Sequence, residues 1–360
     1  MTQSDLITRL FRKEVLSLSA YKVTNASGLI KLDAMENPYH WPEPVVQAWL
    51  DRLKDSELNR YPDPEARQLN ATIRKTYGIS DQFDTLLGNG SDEIIQLLLM
   101  ALPPDAKVLA PDPGFVMYRQ ISRSLGLEYF GIPLQAANFD LDLPAMLEAI
   151  DRHQPAIIFL AYPNNPTGNL FDEHAVLEII QATKGLVIID EAYAPFANVS
   201  FIDRLDRFDN LLIMRTLSKL GLAGLRLGYI VGSPDIIEQL NKIRLPYNIN
   251  ILTQITADFA LQNGTVFDQQ TQAICKERIR VYNALNRFDG ITAFPSAANF
   301  ILFRTQSNQA TPIFESLKDQ GILIKNLDLQ GGLLKDCLRT TIGTPDENRA
   351  FITALTNCLP

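Results

Sequence analysis

The sequence predicts an α/β protein in which a mostly parallel sheet is covered by helices and a smaller α+β unit follows. Three observations carry this reading. Short apolar runs alternate with helical patterns from about Pro44 to Asn250. The turn and breaker residues Leu245-Pro246-Tyr247-Asn248-Ile249-Asn250 close that stretch. Beyond them long helical segments give way to isolated strand-like runs. At 360 residues, 46% of them hydrophobic, the chain has enough apolar content for two cores.

In chain order, residues 1–13 read as a short amphipathic helix without the apolar core of a secretory signal. Gly88-Asn89-Gly90-Ser91-Asp92-Glu93 leads into the helix-like run Ile94-Ile95-Gln96-Leu97-Leu98-Leu99. Strands are expected near Lys107–Ala110, Ala156–Ala161, Leu186–Ile189, Leu211–Met214 and Leu227–Val231. Helical patterns through Thr253–Arg287 precede a strand at Ala298–Arg304, a helix near Pro312–Gln320 and a strand near Leu338–Ile342. No run approaches the roughly 20 apolar residues of a membrane span, and no internal repeat is present.

Composition narrows the partners. A formal net charge of −8, with no basic run, argues against nucleic acid. Cys275, Cys337 and Cys358 are isolated and odd in number, which fits a reduced, cytoplasmic setting better than a disulfide framework. His40, His153 and His174 stand far apart, so no metal site is expected.

The chemistry concentrates where three apolar runs end. Ala156–Ala161 runs into Tyr162-Pro163-Asn164-Asn165-Pro166-Thr167-Gly168. Leu186–Ile189 runs into Asp190-Glu191-Ala192-Tyr193, and Leu211–Met214 into Arg215-Thr216-Leu217-Ser218-Lys219 with Arg226 following. In open parallel sheets a ligand sits beyond the carboxyl ends of the strands, so an amide, a carboxylate, a phenol and a lysine can meet on one molecule there. Lys219 can form a Schiff base with a carbonyl, while Thr216, Ser218 and Arg226 supply donors for a phosphate. Pyridoxal 5'-phosphate needs that combination. Turn and packing roles for Asn165, Asp190 and Tyr193 are the plainer alternative.

The order and spacing of Asn-Pro-x-Gly, Asp-x-x-Tyr and Ser-Lys with a later Arg resemble the fold-type I aminotransferases. In such an enzyme Asp190 would pair with the pyridine nitrogen, and Asn165 and Tyr193 would hydrogen-bond the ring's phenolate oxygen. Lys219 would hold the aldehyde and then shuttle the substrate proton. Burial and a cationic neighbour must lower its pKa from about 10.4 for that work. Within this resemblance Gly90, Ser91 and Asp92 match the phosphate cup at a helix amino end, although Asp92 and Glu93 would repel a phosphate unless Arg226 offsets them. Phe115 matches the aromatic ring stacked on the cofactor, with core packing as its alternative.

Further segments are similar to the histidinol-phosphate aminotransferase family: Leu32-Asp33-Ala34-Met35-Glu36-Asn37-Pro38-Tyr39, Asn59-Arg60-Tyr61-Pro62-Asp63-Pro64, Pro295-Ser296-Ala297-Ala298-Asn299-Phe300 and Leu338-Arg339-Thr340-Thr341-Ile342-Gly343-Thr344. The similarity runs from about Tyr21 to the C-terminus. It implies a large cofactor-binding domain over residues 40–250 with a seven-stranded sheet, and a small domain made of 1–39 and 251–360. It also implies a homodimer with shared active sites, Tyr61 reaching the neighbouring subunit's cofactor phosphate. Arg339 would grip a substrate carboxylate, and Tyr21 and Asn37 would line the substrate side. The implied reaction moves the amino group of L-histidinol phosphate to 2-oxoglutarate, a small-molecule transamination in histidine biosynthesis. Three departures bear on specificity. Lys325 stands where the family commonly carries an arginine for the substrate phosphate, and His40 where a glycine is usual. The loop from Lys219 to Arg226 is one residue shorter than in many members. An aromatic or broad-specificity amino-acid aminotransferase is the alternative they leave open.

Overall fold

The computed structural model describes residues 3–20 and 24–359. A two-residue strand β1 (Ile30–Lys31) precedes seven that form the central sheet. These are β2 (Asp84–Gly88), β3 (Lys107–Asp112), β4 (Glu128–Pro133), β5 (Ile157–Ala161), β6 (Leu186–Asp190), β7 (Leu211–Thr216) and β8 (Gly228–Gly232). Their order is β2-β8-β7-β6-β5-β3-β4, and only β8 runs against its two neighbours.

Both faces of this sheet are covered, which is why its strands read as unbroken apolar runs. Side chains still alternate. Ile158, Leu160, Val187, Ile189, Leu211 and Ile213 belong to one buried cluster. Ile157, Phe159, Ile188, Leu212 and Met214 belong to the cluster on the opposite face. The edge strand β4 is only half-buried and was not expected from the sequence; without a continuous apolar run it carries no signal. Several strands extend past their apolar runs, β6 to Asp190 and β7 to Thr216, because the ladder takes polar residues as readily once its hydrogen bonds are formed.

The last part of the chain supplies β9 (Thr292–Ala293), β10 (Phe300–Arg304), β11 (Ile322–Leu323), β12 (Lys325–Asn326) and β13 (Cys337–Thr341). An antiparallel sheet in the order β12-β13-β10-β9 packs its apolar residues with Leu32 and Met35 in a third cluster. The helical stretch expected over Thr253–Arg287 is two helices, Ile251–Gln262 and Thr265–Leu285, divided at Asn263-Gly264. Ala257, Ala260, Leu261 and Phe267 pack with the central sheet's cluster. The final helix, Pro345–Cys358, starts at a capping box between Thr344 and Glu347. The amino-terminal amphipathic pattern forms the helix Gln3–Leu10.

One crossing matters for the site. Strand β1 pairs in parallel with β11, and Leu32 O accepts from Thr341 N at 2.8 Å. Met35 N donates to Thr341 Oγ1 at 2.9 Å, and Asn299 Nδ2 donates to Met35 O at 3.0 Å. The segment Asp33–Glu36 is thereby pinned to the second sheet and held across the carboxyl ends of the first. Among the described residues no helix is long and apolar enough to cross a membrane.

Candidate active site

Register sets the site's floor. Ala161 pairs with Asp190, and Asp190 with Met214, so β5, β6 and β7 end side by side. Beyond them lies a cavity of about 370 Å³, lined by Ser91, Asp92, Phe115, Asn165, Asp190, Tyr193, Thr216, Ser218, Lys219 and Arg226, with Ala34–Glu36 on the facing side. Ten of the residues singled out in the sequence therefore share one cavity.

Lys219 follows β7 in a single 3-10 turn, Ser218–Leu220. Its Nζ donates to Ala34 O at 3.3 Å on the pinned segment, and lies 5.9 Å from the centre of the Tyr193 ring. Burial lowers its pKa to about 8, and the positive charges of Arg339 and Arg226 add to that effect while Glu36 and Asp92 oppose it. The cationic neighbour that the chemistry requires is thus chiefly Arg339, from a strand far away in sequence.

Asp190 is buried at the end of β6. The Tyr118 hydroxyl donates to its Oδ2 at 2.6 Å, and Ala192 N donates to its Oδ1 at 3.1 Å. Burial pushes its carboxyl up to about 6, against those two hydrogen bonds. Among the described residues no cationic side chain forms an ion pair with it. A protonated ring nitrogen in the cavity would satisfy that buried carboxylate. Tyr118 is a site residue that the sequence reading did not single out. Its signal was its place three residues after Phe115, one helical turn on and so on the same face.

Asn165 is fixed from two sides. Arg339 Nη1 donates to its Oδ1 at 2.5 Å, and its Nδ2 donates to Tyr193 Oη at 3.1 Å. Arg339 Nη2 also donates to Asp33 O at 3.0 Å, and the guanidinium lies 5.2 Å from the centre of the Phe300 ring. The amide is therefore oriented before any ligand arrives, with its neighbour's phenol directed at the same volume. Burial holds the Tyr193 phenol well above its ordinary pKa, so it stays a hydroxyl donor.

At the other end, the helix Ser91–Met100 begins after Gly90, with no side chain capping its first turn. Its open N–H groups suit a phosphate. Arg226 stands over them, in the left-handed backbone region at φ 50°, with Nη2 at 3.6 Å from Asp92 Oδ2 and Nη1 at 3.4 Å from Ser218 Oγ. Thr216 Oγ1 accepts from Ser218 N at 3.1 Å and lies 2.9 Å from Ser218 Oγ. The two carboxylates expected to repel a phosphate turn to different partners. Glu93 Oε2 is engaged by Asn89 N and by Asn248 Nδ2 at 2.9 Å, while Asp92 lies beside Arg226, with burial raising its pKa and Arg226 opposing that.

Gly90 has φ +81°, and a Cβ added there would lie 2.7 Å from Arg226 Nη2. Gly90→Ala is therefore expected to displace Arg226 and weaken the hold on a phosphorylated cofactor by about tenfold, the loss of one charge-assisted hydrogen bond. Binding of pyridoxal, which lacks the phosphate, should change little. Fluorescence titration of the cofactor-free variant with both compounds checks this.

The remaining candidates lie around the cavity. Phe115 is on its wall, edge-on to Tyr118 at 5.4 Å. Asn37 donates to Leu220 O at 3.1 Å and to Gln270 Oε1 at 2.9 Å, and lines an adjoining cleft instead. Lys325 is half-buried on β12, directly opposite Arg339 in the ladder. Tyr61 is 80% exposed, outside its own chain's cavity and stacked on Tyr247 at 4.5 Å. Tyr21 lies outside the described residues. Among the described residues no cluster of His, Cys, Asp or Glu is arranged to hold a metal ion. The donor set fits pyridoxal phosphate: an amine whose pKa is lowered, a buried carboxylate on the same cavity, an oriented amide–phenol pair, and open N–H groups under an arginine.

The sequence model for aminotransferase class I and II matches residues 27–355. The chain belongs to that family. It is 54% identical over 352 residues, 98% of each chain, to Histidinol-phosphate aminotransferase 2 of Nitrosococcus oceani. Among solved structures, the histidinol-phosphate aminotransferase from Clostridium acetobutylicum superposes with a TM-score of 0.84 at 26% identity, covering 91% of this chain and 98% of that one. The histidinol-phosphate aminotransferase from Sinorhizobium meliloti, solved in complex with pyridoxal-5'-phosphate, shares the fold with a TM-score of 0.86 at 24% identity over 97% of both chains. The seven-stranded central sheet of this aminotransferase agrees with the architecture expected from its sequence.

Proposed function

We propose that this aminotransferase binds pyridoxal 5'-phosphate and transfers the amino group of L-histidinol phosphate to 2-oxoglutarate, giving imidazole-acetol phosphate and L-glutamate. The observation that carries the reading is the convergence of Lys219, Asp190, Asn165, Tyr193 and Arg226 on one cavity, together with the 54% identity to a relative named for that reaction. The bound cofactor supplies an electron sink for the substrate's Cα. Lys219 would hold the cofactor's aldehyde end and would carry the proton from the substrate's Cα. Asp190 would keep the ring nitrogen protonated, and Asn165 with Tyr193 would donate to the ring oxygen. Gly90, Ser91, Asp92, Thr216, Ser218 and Arg226 would hold the phosphate, and Phe115 would wall the ring.

Arg339 and Lys325 face each other across the ladder, which supports a shared anionic subsite for carboxylate or phosphate. Lysine there keeps the charge but lacks arginine's fork, and that is the observation favouring a second reading, a broader amino-acid aminotransferase. Glutamate formation with L-histidinol phosphate, histidinol and phenylalanine as parallel donors separates the two. Strong preference for the phosphorylated donor is expected. Equal rates with phenylalanine would transfer the function to the second reading.

The enzyme acts as a homodimer in this proposal, with residues 40–250 as the cofactor domain and 1–39 with 251–360 as the smaller one. The exposed aromatic pair Tyr61 and Tyr247, shortly after the exposed Leu58 and Leu245 in sequence, supports a buried role in a second copy's site. The formal charge of −8 and three free thiols suit a cytoplasmic enzyme. Mixing subunits of Tyr61→Phe and Lys219→Ala, each inactive alone, is expected to restore part of the activity through one intact site per heterodimer. No restoration after proven subunit exchange would contradict shared sites.

A further inference from the structure

We propose that Tyr118 is a positioning residue of this site: its hydroxyl holds the Asp190 carboxylate ionised and turned toward the cavity, and its ring ties that carboxylate to the wall at Phe115. The inference rests on the cofactor reading above, in which Asp190 meets a protonated ring nitrogen.

The geometry is specific. Tyr118 is 1% exposed and donates to Asp190 Oδ2 at 2.6 Å, while Ala192 N donates to Oδ1 at 3.1 Å. Each carboxylate oxygen thus has one protein donor, which fixes the plane of the group. The Tyr118 ring is itself immobilised. It lies parallel to Phe159 with centroids 4.6 Å apart and an interplanar angle of 9°, and edge-on to Phe115 at 5.4 Å. Phe159 belongs to β5, beside Asp190's own strand, so the hydroxyl is referenced to the sheet. Phe115 is the residue before the helix Val116–Leu125, and Tyr118 stands in that helix's first turn. One short segment therefore provides both a wall of the cavity and the donor that orients its buried acid.

Charge explains why the donor matters. Asp190 is surrounded by groups that disfavour its ionisation: burial first, then the carboxylates of Asp92 and Glu191. Glu191 is engaged by Arg215, with Nη2 to Oε2 at 2.7 Å, and the neighbouring Tyr193 stays protonated. The hydrogen bonds from the Tyr118 hydroxyl and the Ala192 N–H act in the opposite sense, that of Tyr118 the stronger. Removing the hydroxyl leaves one carboxylate oxygen buried without its donor and moves the group toward its neutral form. A neutral acid does not hold a protonated ring nitrogen. The acid limb of cofactor retention must then move to higher pH.

Tyr118→Phe tests this, because phenylalanine keeps both ring contacts and deletes only the oxygen. Holoenzyme of wild type, Tyr118→Phe and Asp190→Asn would be dialysed against cofactor-free buffer from about pH 5 to about pH 9, a span that brackets the Asp190 value of about 6, and the retained cofactor read by absorbance. Tyr118→Phe is expected to retain cofactor about tenfold to a hundredfold less tightly, as for loss of a hydrogen bond to a charged group. Its acid limb should move up by about one pH unit, a shift that a packing role alone would not produce. An unchanged affinity and limb in Tyr118→Phe, with cofactor lost from Asp190→Asn, would overturn the proposal and leave the site reading standing. Unchanged retention in both variants would instead remove the reading of Asp190 on which the proposal rests.

Discussion

Lys219→Ala is expected to lower turnover by more than about a thousandfold, the joint effect of removing the covalent anchor and the proton carrier. The visible absorbance of the lysine-bound cofactor should vanish with it. The fold should survive, because the side chain's contacts are slight, a 3.3 Å hydrogen bond to Ala34 O and a 5.9 Å approach to the Tyr193 ring. Its ammonium is also disfavoured where it stands. The folded pKa of about 8 lies below the ordinary lysine value of 10.5. Between those values the unfolded chain binds the extra proton, so in the cofactor-free wild type stability contributed by this group rises with pH through that window. In Lys219→Ala that rise should be lost, with stability at neutral pH no lower than wild type. Melting curves of both cofactor-free proteins from neutral to alkaline pH, read beside steady-state rates, check the two halves together. Near-normal turnover would remove the central chemical role assigned to this residue.

The second large effect is at Asp190. Asp190→Asn preserves the size of the side chain but not its charge, and its amide cannot keep the ring nitrogen protonated. The loss in kcat is expected to reach about a hundredfold to a thousandfold, in the range of a buried charge interaction made in the transition state. Cofactor affinity should fall as well. Single-turnover rates at saturating cofactor separate these contributions. A variant that loses affinity alone would make Asp190 a cofactor anchor without an electronic part in the reaction.

Much of this site was legible because its residues follow strands with strong apolar signals. Asn165, Asp190 and Lys219 each come within a few residues of the end of a buried central strand, and the parallel register of β5, β6 and β7 does the rest. What periodicity did not disclose is contact across long separations. Arg339, from the second sheet, orients Asn165 and adds to the lowering of the lysine pKa by burial; nothing local to either residue announces the other. The Asp33–Glu36 segment lies over the cavity because β1 pairs with β11 and Leu32 and Met35 bond to Thr341 and Asn299, all near the far end of the chain. The edge strand β4 lacks the unbroken apolar run of the central strands. Tyr118 was not singled out, and its hydroxyl acquires meaning only once Asp190 is placed 2.6 Å away. Charges were the least legible element. Asp92 and Glu93 look alike in sequence, yet one faces Arg226 and the other turns to Asn89 and Asn248.

The most direct measurement is a single turnover without a keto acid. Cofactor-loaded protein would be mixed with L-histidinol phosphate, following the decay of the lysine-bound absorbance and the yield of keto product per site. One equivalent of imidazole-acetol phosphate for each loaded site, absent in Lys219→Ala, is the expected result. No product from a protein that demonstrably holds its cofactor, while another amino donor reacts, would contradict the assignment of this cavity to L-histidinol phosphate.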